Sequence, residues 1–133
     1  MRLKNFSLNY GVQVFKSFSD EARVRILNLL LEHKELTITD LEHILEFTQT
    51  KTSRHITYLR HADLVSSRKA DQWVFYFVRD EMVFVVSQML GLVNKDGLLQ
   101  KDLETYRILY SNRELAINKI EGKQWTGFDK PIP

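Results

Sequence analysis

The sequence predicts a mainly α domain carrying one small β-hairpin, and three observations predict it. Two short helical segments, each opened by a polar cap, meet across a tight break within residues 39–62. Two β-rich strings follow directly, in residues 64–79. On both sides of this block, in residues 9–18 and 80–120, apolar side chains recur at helical spacing. The 133 residues are 44% hydrophobic and include fifteen aromatic ones, enough for one compact core. No repeat, proline-rich linker or low-complexity tract divides them, so a single domain over residues 1–133 is expected, with a tail at 121–133.

Taken in order, Tyr10, Val14 and Phe18 repeat at spacings of four and mark a first short amphipathic helix. Ser19 and Asp20 then cap a strongly apolar helix through Ala22, Ile26, Leu29 and Leu30 that ends near His33 and Lys34, where cationic side chains suit the helix dipole. Thr39-Asp40-Leu41-Glu42 has capping-box spacing, so a helix of about two turns burying Leu41, Ile44 and Leu45 is expected after it. Phe47 and Thr48 are expected to break that helix. Thr48 caps the next, on which Thr52, Ile56 and Leu59 share one face to about Ala62. Residues 64–68 and 73–78 read as strands bracketing Lys69-Ala70-Asp71-Gln72. A hairpin placed directly after a helix-turn-helix is a wing, which makes the architecture a winged helix-turn-helix with extra terminal helices. Asp80 is expected to cap the apolar run at 82–93, which holds nine apolar side chains in twelve positions. That run is short of the roughly 20 residues of a membrane span. Asn94 to Gly97 interrupt it, and a last helix sets Leu99, Leu103, Tyr106, Tyr110, Ile117 and Ile120 along one stripe. The tail is either loose or pinned by Trp125 and Phe128.

Charge is uneven. Residues 49–79 carry a net +4 and the rest of the chain −2, the distribution expected if that quarter faces phosphates. With no cysteine, disulfide scaffolds, thiolate metal sites, cysteine nucleophiles and dithiol switches are excluded. No glycine-rich phosphate loop, nucleophile elbow or paired carboxylates point to an enzyme. His33, His43, His55 and His61 lack metal-ligand spacing and read as surface or turn residues. The first residues lack the apolar stretch of a secretory signal, so a cytoplasmic protein without membrane attachment is expected.

Three strings carry a family resemblance: FKSFSDEARVRIL at 15–27, TQTKTSRHI and YLRHADLV at 48–56 and 58–65, and RKADQWVFY at 68–76. They resemble the ArsR-type (ArsR/SmtB) winged-helix regulators. The resemblance implies a homodimeric transcriptional repressor that binds double-stranded DNA. The metal sensors of that family carry two cysteines in a frame that here reads Glu35-Leu36-Thr37-Ile38-Thr39-Asp40-Leu41, with threonine at both places. The family's other metal site needs histidines on the last helix, and this chain has none beyond His61. Neither metal nor cofactor is therefore expected, and a small-molecule inducer stays open.

Glutamine pairs with adenine, arginine with guanine, and serine or threonine with several bases, so Gln49, Thr50, Ser53 and Arg54 are the expected base contacts at the start of the recognition helix. Thr48, Lys51, His55, Tyr58, Arg68, Lys69 and Gln72 are expected at the DNA backbone. Asp71 stands where the family often has glycine. It tolerates left-handed geometry, but its charge discourages deep insertion of the wing. The expected dimer interface is Tyr10, Val14, Val86, Met89, Leu90, Leu99, Leu103, Tyr106 and Tyr110. The alternative is a winged helix serving as a protein-interaction module without DNA binding. Such a module would have no need of Lys51, Arg54, Arg68 and Lys69.

Overall fold

The computed structural model describes residues 5–121, with side chains through 110. Ile117, Ile120, Trp125, Phe128 and the rest of the tail therefore lie outside the described side chains. The elements are α1 (Leu8–Ser17), α2 (Glu21–His33), α3 (Ile38–Leu45), α4 (Gln49–His61), β1 (Val65–Ala70), β2 (Trp73–Val78), a single 3-10 turn (Asp80–Met82), α5 (Val83–Leu90) and α6 (Gly97–Glu121). This is a winged helix-turn-helix.

Side-chain caps set most helix starts. Ser7 accepts from the Tyr10 N–H, Asp20 from those of Ala22 and Arg23, and Thr48 from that of Lys51. The expected box at Thr39 and Glu42 does not form. Thr37 accepts from the Asp40 N–H at 3.1 Å while the Asp40 carboxylate takes the Thr37 N–H at 3.0 Å, so α3 begins earlier and Thr39 lies within it. The helix ends at Glu46, in the left-handed region at φ 58°, rather than being broken by Phe47 and Thr48. Asp80 caps nothing. It lies inside the 3-10 turn, and α5 starts without a side-chain cap.

The strands pair antiparallel from Val65 opposite Val78 to Ala70 opposite Trp73. Lys69 and Ala70 are thus strand residues, and the turn is Asp71 and Gln72 alone, with Asp71 at φ 57°. Leu36 pairs with Tyr76 through two backbone hydrogen bonds of 3.1 and 2.8 Å, which fixes the wing to the loop before α3.

The core gathers around α2. Ile26, Leu27, Leu29 and Leu30 meet Leu41, Ile44, Ile56, Leu59, Leu64, Met82, Val86 and Leu90. Polar links then seat α6. Arg25 donates to both oxygens of buried Asp102 at 2.9 Å, His33 stacks on Tyr106 at 3.5 Å, and the Tyr110 hydroxyl donates to Asp40.

This packing engages much of the expected interface within the chain itself. Val14, Val86, Leu90, Leu99 and Tyr110 are buried within one protomer, and Tyr10, Met89, Leu103 and Tyr106 are half-buried. Of the dense apolar run at 82–93, Met82, Val86 and Leu90 enter the chain's own core, Phe84, Val85 and Met89 are half-buried, and Val83, Leu92 and Val93 are exposed. The apolar stripe that α1 turns outward is Leu8, Val12 and Phe15, with Leu8 85% and Phe15 65% exposed. Leu92, Ile108 and Leu109 are exposed as well.

Candidate nucleic-acid interface

The α4 helix is amphipathic about its contact with α2 and α3. Thr52, His55, Ile56 and Leu59 are buried, and Thr52 hides its hydroxyl by donating to the Thr48 carbonyl at 2.8 Å. The opposite face holds Gln49, Thr50, Arg54, Thr57 and His61, all exposed, with Ser53 half-buried at its edge. Gln49, Thr50 and Arg54 make no hydrogen bond or ion pair to other described residues. The first turn of the helix, with Thr48 as its cap, belongs to the same surface. A polar face that buries no hydrogen-bonding group leaves those groups free to pair with a partner.

The residues expected at the DNA backbone divide into two sets. Thr48, Lys51, Lys69 and Gln72 are exposed, Lys51 with its ammonium 4.1 Å above the Phe47 ring. Three others are engaged by the fold. Tyr58 is half-buried under the Arg23 guanidinium at 3.9 Å. Arg68 donates to both oxygens of Glu35, at 2.5 and 2.8 Å, which neutralises its charge. His55 is buried rather than on the surface, because its angular position on α4 turns it toward α2.

His33 also departs from a surface role. Its ring stacks on Tyr106 and its Nε2 is enclosed without a partner among the described residues. Burial lowers the pKa of both histidines. Glu32 opposes the shift at His33, and Asp20 opposes it at His55. His43 and His61 are exposed.

Sequence reasoning missed a cleft of about 530 Å³ between the start of α2 and the flank of α4. Arg23, Lys51, Arg54, His55 and Tyr58 line it. The overlooked signal was a pair of arginines, Arg23 and Arg25, near the start of a helix, where the dipole favours acids. Where Thr37 and Thr39 replace the family's cysteines, the structure shows a helix cap: the Thr37 hydroxyl receives the Asp40 N–H. Among the described residues, no helix is long and apolar enough to cross a membrane.

The family model described as bacterial regulatory protein, arsR family, matches residues 20–67, from the cap of α2 into β1. An arsenic resistance transcriptional regulator of Pseudomonas putida is 39% identical over 82 residues, 61% of this chain and 64% of that one. The match therefore spans less than two thirds of that relative. The cadmium resistance transcriptional regulatory protein CadC of Listeria innocua is 30% identical over 98 residues, 74% of this chain and 82% of that one. Among solved structures, HlyU from Vibrio cholerae superimposes with a TM-score of 0.59 at 32% identity, over 66% of this chain and 98% of that one.

Proposed function

Because this chain belongs to the ArsR family of bacterial regulatory proteins, we propose that it is a sequence-specific DNA-binding transcriptional repressor acting as a two-fold dimer. The observation that carries the reading is the free polar face of α4. Gln49, Thr50 and Arg54 are exposed together with their hydrogen-bonding groups unused, and Ser53 borders them. In this reading Arg54 reads a guanine, Gln49 an adenine, and Thr48, Lys51, Lys69 and Gln72 hold the backbone.

One recognition helix reads few base pairs, so two copies on palindromic half-sites about one helical turn apart supply the specificity. The outward stripe of α1, Leu8, Val12 and Phe15, supports dimerisation, since an exposed apolar face of this kind favours burial against a second copy. No metal or cofactor enters the reading. The chain lacks cysteine, and Thr37 offers a hard hydroxyl already serving as a cap.

Selecting bound sequences from a random duplex pool tests the proposal. An enriched palindrome is expected; no enrichment at low salt leaves the fold to the interaction-module alternative. Sedimentation tests the dimer: wild type should run as a dimer at micromolar concentration and Phe15→Asp as a folded monomer. A wild-type monomer removes dimerisation from the proposal.

A further inference from the structure

The cleft between α2 and α4 is built around His55. This side chain is 6% exposed and makes no hydrogen bond to any described residue, yet it lines the cleft. Unlike His33, it has no ring nitrogen enclosed in the interior without a partner, and it is among the residues that line that space.

The cation on the α2 side is held in place. Arg23 lies over the Tyr58 ring and donates from Nε to the Ser17 carbonyl at 3.2 Å and from Nη2 to the Lys16 carbonyl at 2.9 Å. Lys51 rests on Phe47, and Arg54 completes the rim. The lining also holds two acids. Asp20 accepts the N–H groups of Ala22 and Arg23 and faces the Arg23 guanidinium at 3.9 Å, while Glu21 is exposed. Arg25, the remaining cation of the lining, is committed to Asp102.

We infer that this cleft is a phosphate subsite, in which His55 takes up a proton as the anion enters. The inference rests on the DNA-binding reading, with a backbone phosphate as the anion. A cation already fixed without the ligand, as Arg23 is, loses little freedom on binding it. An imidazole that becomes imidazolium offers two N–H donors to phosphate oxygens.

The groups facing His55 set the direction. Burial is the largest influence and lowers its pKa; Asp20 raises it, and Arg54, Arg23 and Lys51 lower it further. The empty cleft therefore favours a neutral ring at pH 7. A phosphate adds negative charge beside the ring and reverses that preference. Binding then consumes a proton, so affinity strengthens as pH falls from the bound midpoint to the free one, by at most about tenfold per pH unit for one proton.

The test follows the His55 ring of wild-type protein by NMR across about pH 5 to 8, the interval in which imidazole titrates. The protein is measured alone, with the selected duplex, and with inorganic phosphate. Duplex affinity is measured over the same range for wild type and His55→Gln. The duplex is expected to raise the His55 midpoint by about one unit or more. Wild type should bind several-fold more tightly at the acid end, and His55→Gln should flatten that dependence. A rise with the duplex only assigns the site to the DNA backbone; a rise with inorganic phosphate as well means that it also takes the free anion. No rise with either overturns the inference. If the duplex binds with sequence preference while His55 does not move, the subsite fails and the proposed function stands. If no duplex binds while inorganic phosphate moves His55, the subsite stands and the regulatory reading falls. Wild-type titration makes the result independent of whether the variant folds.

Discussion

On α4, Gln49, Thr50 and Arg54 stand exposed with no hydrogen bond to other described residues, whereas on the hairpin Arg68 is clamped by both oxygens of Glu35. The two regions carry similar side chains in different conditions. A free guanidinium meets a base edge at the cost of its water alone. A bidentate one must first break two charge-assisted hydrogen bonds. Charge counted along a sequence is therefore not charge available to a partner. Of the cations in residues 49–79, Arg68 is paired with Glu35, and Arg79 lies 2.8 Å from Glu81 and 3.8 Å from Asp63. On the hairpin, Lys69 is the exposed cation, next to Ala70 and the acidic Asp71. The α4 face stands free for a partner, while the wing's arginine is held by the fold.

The largest expected effect breaks the α4 side of this contrast. Arg54→Ala should cost about 1 to 3 kcal/mol per half-site on the preferred duplex and relax discrimination at one base pair. Binding to a scrambled duplex should change much less. Thermal unfolding should match wild type, because Arg54 is exposed and makes no hydrogen bond or ion pair that holds the fold. Equal losses on both duplexes would move Arg54 to the backbone set.

The wing provides a matched pair of smaller effects. Lys69→Ala should leave stability unchanged, weaken all duplexes alike, and lower the salt slope by about one for each phosphate no longer neutralised. Arg68→Ala should do the reverse. It removes a partly exposed pair, with Arg68 38% and Glu35 17% exposed, so it should cost about 1 kcal/mol or less in stability and leave the salt slope alone. Unfolding curves and binding across a salt series separate the two. A fall in slope for Arg68→Ala would show that DNA strips Glu35 from it.

The wheel and the caps explain how much of this was legible. Thr52, Ile56 and Leu59 repeat on one face of a single helix, so the buried side of α4 and its polar opposite followed from spacing. Asp20 and Thr48 were readable as caps because they act on the backbone within three residues. What escaped depends on pairs distant in sequence. Glu35 and Arg68 are 33 residues apart, and Tyr110 reaches Asp40 across 70. The burial of part of the expected interface escaped for a related reason. Val86 and Leu90 are apolar whether they face a partner or their own α2, and only tertiary packing distinguishes the two. On α1 the inward Tyr10 and Val14 stripe drew notice, while the outward Leu8, Val12 and Phe15 stripe shares the same helical spacing.

The smallest expected effect is none, and it tests whether the wing's attachment can be switched. The loop before α3 joins both regions. Glu35 holds Arg68, Leu36 pairs with Tyr76, and Thr37 caps the first helix of the helix-turn-helix. A soft metal seated in this loop would pull on wing and helix together. Thr37 and Thr39 supply hard hydroxyl oxygens, the Thr37 hydroxyl already receives the Asp40 N–H, and the chain has no thiolate to bring. Adding Zn(II), Cd(II) or As(III) to the protein–duplex complex should therefore leave affinity unchanged within a few-fold. Calorimetry beside the binding assay checks both halves of the claim. A tight, stoichiometric metal complex that released the duplex would mean that the loop is a sensor built from other ligands, and that the wing's attachment is a switch rather than a fixed ion pair.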